Sequence, residues 1–156
     1  MTDDDDEISP SEALRELLEL LVDAFGLDAE VVVDEHDGVL RGAVNGAGAD
    51  ALVGEGGGVI DAIQHLAQRV VLRGGEGLRV LVDAAGYRER REGELRADAD
   101  RAADVAVSEQ RPVALALMPA AERRFVHEYL RERGDVTTHS EGDEPRRRLV
   151  VSPPGV

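Results

Sequence analysis

From Pro119 to Arg133 the chain reads PAAERRFVHEYLRER. Residues four apart on a helix share a face one turn apart, so a helix here sets Arg123 and His127 side by side as guanidinium and imidazole donors. That spacing suits a phosphate or the edge of a base. Phe125, Val126, Tyr129 and Leu130 lie on the other side, apolar enough to dock the helix on a small sheet and hold the donor pair outward. Spacing alone favours an Arg and a His on a solvated helix face, and it is the flanking residues that point to a ligand.

The 156 residues suffice for one ordinary domain or two small ones. Aromatics make up only 3% of the chain, so its cores must be built from Val, Leu, Ile and Ala. Cysteine is absent, which removes disulfide and Cys-based zinc or redox chemistry. No apolar run approaches the roughly 20 residues of a membrane span, and the N-terminus is acidic where a signal peptide is basic. A soluble cytoplasmic protein is expected. The formal charge is −15 and no Lys is present. From Met1 to Gly86 there are 19 acids and 5 Arg, giving −14, whereas Tyr87 to Val156 holds 14 acids and 13 Arg, giving −1. An anion site therefore belongs in the second half, with few charged contacts.

Residues 1–8 read as a disordered acidic tail. Ser9, Pro10 and Glu12 then supply a helix cap, a first-turn proline and a capping-box acid. Leu14, Leu17, Leu18, Leu21 and Phe25 follow at helical spacing up to Gly26. Val31–Asp34 and Val39–Val44 flank Asp37-Gly38 as a hairpin, with a loop over Asn45–Gly48. A short helix over Ala49–Val53 leads into Gly54, Glu55, Gly56, Gly57 and Gly58. An amphipathic helix from Val59 to Val71 ends at Gly74-Gly75, and Leu78–Asp83 is a strand with Leu81 opposed to Leu78, Val80 and Val82. A polar helix from Gly86 to about Ser108, with a modest stripe of Leu95, Ala99, Ala102, Ala103 and Ala106, reads as a connector packed on one side. Val113–Leu117, Val136–His139 and Leu149–Ser152 are strands, the last two separated by the polar turn Ser140–Pro145.

Helix, strand, strand, helix, Gly-x-x-Gly turn, helix, strand, with LVGEGGGVIDAIQ at Leu52–Gln64, resembles a type II KH domain. The residues Arg111-Pro112-Val113, Met118-Pro119-Ala120-Ala121-Glu122-Arg123-Arg124-Phe125-Val126-His127 and Ser140-Glu141-Gly142-Asp143-Glu144-Pro145-Arg146-Arg147-Arg148 resemble the single-stranded nucleic-acid-binding domain named for its Arg-x-x-x-His pair. With Gly86-Tyr87-Arg88-Glu89-Arg90-Arg91 between them, residues 10–154 are similar to the bacterial Jag family, also called KhpB or SpoIIIJ-associated proteins. The resemblance implies an α+β protein: a KH-like domain over residues 9–86, a connecting helix over 87–110 and an Arg-x-x-x-His domain over 111–156. It also implies a cytoplasmic single-stranded RNA binder acting after transcription and linked to cell-envelope growth and division. Some members carry a further N-terminal domain, for which this chain leaves no room.

The candidate RNA contacts are Arg123, His127, Arg124, Arg146, Arg147 and Arg148, with Gly54, Glu55, Gly56 and Gly57 of the turn. Family members place basic residues inside that turn; here the inner pair is Glu55-Gly56. A carboxylate where a phosphate should approach main-chain N–H groups shifts the larger share of binding to the C-terminal part. Strand alternation puts Arg146 and Arg148 on one face and Arg147 on the other. Ser140 and Gly142 are expected to shape the turn, and His36, His65 and His139 to be surface or packing residues. No cofactor or metal is expected. The competing reading is an interaction module whose KH unit pairs with itself or with another KH protein. No nucleophile constellation supports an enzyme.

Overall fold

The Ser9 side chain accepts the Glu12 amide at 3.3 Å and the Glu12 carboxylate accepts the Ser9 amide at 3.1 Å, a complete capping box that starts α1 (Pro10–Ala24). The Ser9 hydroxyl, which donates to the same carboxylate at 2.7 Å, and then the Ser9 amide hold the Glu12 carboxyl below its ordinary range. The chain, seen in a computed structural model, is described over residues 8–72 and 77–155. The acidic run before Ile8 and the Gly74-Gly75 stop lie outside the described residues.

After α1 the backbone turns at Gly26, φ +64°. β1 (Asp28–His36) and β2 (Val39–Ala47) pair antiparallel around Asp37 and Gly38, whose φ values of +49° and +73° are those of a tight hairpin turn. The loop expected over Asn45–Gly48 begins later. Asn45, Gly46 and Ala47 continue β2, because each finds a partner in Glu30, Ala29 and Asp28 of β1, which starts at Asp28 and not at Val31. The short helix before the glycine turn is a single 3-10 turn, Ala49–Leu52. α2 (Gly58–Leu72) then crosses to β3 (Arg79–Ala84), which lies parallel to β2 in the order β1-β2-β3.

Leu14 and Leu18 of α1, Ile60, Ile63 and Ala67 of α2, and Leu40, Val44, Val80 and Val82 of the sheet form one core. α1 lies so close to β2 that a Cβ on Gly42 would stand 2.6 Å from a Leu18 methyl. The outer edge of β3 is closed by side chains. Gln64 donates to the Val80 carbonyl at 2.6 Å and accepts the Val82 amide at 2.7 Å, and Arg88 Nε donates to the Val82 carbonyl at 2.7 Å. A strand edge satisfied in this way is withdrawn from pairing with another chain.

A second compact unit begins at Glu89. It contains most of α3 (Tyr87–Glu109), then β4 (Val113–Leu117), α4 (Ala120–Arg131), β5 (Thr137–Glu141) and β6 (Arg148–Ser152), the sheet being antiparallel in the order β4-β6-β5. The stripe Leu95, Ala99, Ala102, Ala103 and Ala106 is buried with Met118, Val126, Leu130, Val136, Leu149 and Val151. α3 thus packs on one side through the stripe the sequence names, and that side is a wall of the second core. Alanines let it approach closely, and that same lack of bulk makes its stripe look modest in the sequence. The fold is α+β, with four α-helices and two three-stranded sheets among the described residues.

Two ion-pair groups strap α4 to α3. Arg91 meets Glu122 through two bonds of 2.9 Å. Arg133 reaches Asp135 at 3.0 Å, Asp104 at 2.9 Å and Asp100 at 3.4 Å, while the Tyr129 hydroxyl donates to Asp100 at 2.9 Å. These carboxylates, Asp135 and Asp104 foremost, raise the affinity of Arg133 for its proton. Much of the arginine of the second unit is spent on carboxylates of the same unit.

Candidate nucleic-acid interface

α4 rises from Met118-Pro119 with its apolar side, Val126 and Leu130, in the second core. One turn separates Arg123 from His127, as their spacing requires, but the two side chains have different surroundings. His127 is exposed, and its Nδ1 contacts the Thr138 hydroxyl on β5. That contact fixes the ring and leaves Nε2 and the ring faces for a ligand. Arg123 is turned inward, with only 8% of its side chain exposed. Its Nη1 donates to the Met118 carbonyl at 2.8 Å and its Nη2 binds the Glu144 carboxylate. The outward donor pair expected from periodicity is therefore a single outward imidazole, because periodicity cannot register a partner 21 residues away.

Beside His127 an open cleft of about 470 Å³ is lined by Ala120, Arg123, Arg124, His127, Thr138, His139, Ser140, Arg147 and Leu149. Its cations differ in what they already hold. Arg124 lies along α4 with Nε 2.9 Å from Glu128, whose carboxyl is held below its ordinary range mainly by that bond. Arg148 pairs with Glu141 at 2.9 Å, and neither it nor Arg146 lines the cleft. Arg147 does line it, and its Nε is buried without a hydrogen-bond partner. Of the Arg146–Arg148 run only Arg147 lines the cleft; Arg146 and Arg147 precede β6, so strand alternation does not govern them.

β5 contributes what the sequence reading misses. Thr138, His139 and Ser140 form one wall; His139 is exposed, within its reading as a surface or packing residue, whereas local pattern places Ser140 in a turn. Ser140 is a strand residue paired with Leu149. Only the antiparallel register of β5 on β6, invisible in a local pattern, brings these polar groups opposite α4.

The glycine turn of the first unit has a different character. Gly54, Gly56 and Gly57 take φ values of +73°, +60° and +80°, which side-chain-bearing residues rarely adopt. The amides at the start of α2 are already used: Val59 and Ile60 donate to the Val53 carbonyl at 3.0 and 3.1 Å, Gly57 to Gly54 at 3.3 Å and Gly58 to Glu55. An anion arriving here meets closed donors and the exposed Glu55. Gly57 is itself buried, and a Cβ on it would strike the Tyr87 ring. Gly57→Ala is accordingly expected to destabilise the first unit by about 2 kcal/mol, part left-handed strain and part overpacking. Thermal denaturation checks this, with Gly56→Ala, which meets open space, losing roughly 1 kcal/mol.

Among the described residues no group of three or more His, Asp or Glu could hold a metal ion, and no helix is long and apolar enough to cross a membrane. Residues 94–153 match the family model of the R-3-H domain, the Arg-x-x-x-His module. The chain is 33% identical to the RNA-binding protein KhpB of Clostridium symbiosum, over 88% of this chain and 63% of that protein. It is 29% identical to the protein of that name in Bacillus subtilis (strain 168), over 94% of this chain and 72% of that one. To the protein of that name in Lactiplantibacillus plantarum it is 33% identical, over 90% of this chain and 44% of that one. The chain spans less than two thirds of the length of the first and third of these relatives. All three are named as RNA-binding proteins, and the R-3-H domain is a nucleic-acid-binding domain and not an enzyme family.

Proposed function

We propose that the chain belongs to the KhpB family, also called Jag, and binds single-stranded RNA through the cleft between α4 and β5. The Arg-x-x-x-His domain match over residues 94–153 and the named relatives support this grouping. The observation that carries the binding mode is the convergence of His127, Arg124 and Arg147 on one open cleft in a chain of charge −15. An unpaired strand can offer phosphate to Arg147 and a base to the His127 ring, whereas the stacked interior of a duplex offers neither base face. Arg124 extends the track by exchanging Glu128 for phosphate, a weaker contribution because one ion pair replaces another.

The first unit, with its helix-strand-strand-turn-helix-strand order, is read as a type II KH-like domain of minor RNA affinity. Regulation of envelope growth and division after transcription is the cellular role this reading carries. With about three phosphate contacts the log-log salt slope of binding is expected near −2. A fluorescence titration of a short oligonucleotide from low to moderate salt measures it; a flat dependence removes the phosphate contacts.

The closed amides and the −14 charge of residues 1–86 favour a second role for the first unit, pairing with itself or with another KH protein. Light scattering on the chain, alone and mixed with such a partner, separates that role from a monomeric binder.

A further inference from the structure

We infer that Arg123 is a positioning residue: with Glu144 it forms a latch that fixes the loop over residues 142–147 and thereby sets Arg147 in the cleft. The inference rests on the RNA-binding reading of that cleft and goes beyond it, because helical spacing casts Arg123 as a ligand.

The loop is built to be held from two sides. Gly142 has φ +93°, and a Cβ there would stand 2.6 Å from the Arg146 carbonyl, so the chain folds back tightly on itself. The Arg146 amide closes the turn on the Asp143 carbonyl at 2.8 Å. Beyond it the Arg147 carbonyl accepts the Met118 amide at 3.1 Å. Met118 is also the residue whose carbonyl accepts from Arg123 Nη1 at 2.8 Å, while Nη2 holds Glu144. One planar guanidinium thus joins the loop before Arg147 to the strand end that grips Arg147 itself, a task for a rigid fork that a point charge cannot perform.

Two accounts of the Glu144 contact compete. In one, the carboxylate stands in for phosphate and leaves when RNA arrives. In the other, it stays. The burial of Arg123 decides between them, since RNA reaching the cleft meets Arg147 and the exposed His127 before a side chain that is only 8% exposed and whose guanidinium is bonded to a main-chain carbonyl that cannot leave. Glu144 itself is half-exposed, so it can be replaced without leaving a buried charge of its own.

The test is Glu144→Gln in the full chain. Removing a negative charge beside an RNA site should tighten binding if Glu144 competes with phosphate. The latch predicts the opposite sign, an affinity for a short single-stranded oligonucleotide weakened about fivefold, the scale of losing one partly exposed ion pair. In the RNA-free variant, hydrogen exchange should accelerate at the Arg146 and Met118 amides and remain unchanged in the middle of β6. In the unaltered protein, titration should shift the Arg147 Nε–H resonance and leave that of Arg123 in place. Tighter binding by the variant, unchanged exchange at Arg146 and Met118, or displacement of the Arg123 resonance would each overturn the latch. Should the unaltered protein bind no oligonucleotide, the proposed function fails on its own, and the exchange measurement still decides whether Glu144 holds the loop.

Discussion

Replacing His127 and Arg147 together by alanine is expected to weaken binding of a short single-stranded RNA by about a hundredfold or more. That magnitude follows from what each group is free to give. Arg123, Arg124 and Arg148 each hold a carboxylate of the protein, so a phosphate gains from them only the difference between two ion pairs. Arg147 lines the cleft with an Nε that no protein group accepts from, so a phosphate meeting its guanidinium need not displace an ion pair there. A hydrogen bond to a charged group contributes about 1.5–3 kcal/mol. Stacking of a base on an aromatic ring adds about 1–3 kcal/mol, and Thr138 has already fixed the His127 ring. At about 1.4 kcal/mol per factor of ten the sum, about 2.5–6 kcal/mol, passes two orders of magnitude near the lower end of its range. Arg148→Ala, which removes an arginine outside the cleft, should change affinity less than about threefold. Fluorescence anisotropy with an unchanged melting temperature measures both; a double-variant loss below about tenfold would move the binding surface away from this cleft.

Local chemistry is legible in the sequence wherever one residue dictates its own geometry. Ser9 and Glu12 start α1, Asp37-Gly38 turns the hairpin, and the buried positions of α3 are those the apolar spacing names. What stays hidden depends on partners distant in the chain. Asn45–Ala47 has the composition of a loop and becomes strand because β1 is long enough to pair with it. α3 reads as a linker because alanines give a weak amphipathic signal, whereas their value lies in how closely they allow a helix to approach. Arg123 and His127 are one turn apart as expected, yet Glu144 and Met118 claim the first and Thr138 orients the second. A motif spacing specifies a common helix face without specifying which of its members is free to act.

The largest stability effect should come from Ala103, fully buried on α3 against the second core. Ala103→Asp puts a carboxylate where no donor is arranged to receive it. Its ionised form is excluded from such surroundings, and its neutral form still brings unpaired polar atoms and excess volume, together costing about 4 kcal/mol or more. A small unit holds only about 5 kcal/mol in total, so the second unit should be largely unfolded at 37 °C, and RNA binding should disappear with the cleft. The two core clusters share no residue, and β1, β2 and β3 should therefore keep their amide protection while β4, β5 and β6 lose theirs. Hydrogen exchange resolved along the chain reads this directly. Ala103→Ser, which adds one hydroxyl able to bond back along its own helix, should cost about 1 kcal/mol and leave both sheets protected. Simultaneous loss of protection in both sheets of Ala103→Asp would show that the two cores unfold as one cooperative body, and the first unit could then no longer be treated as stable apart from the second.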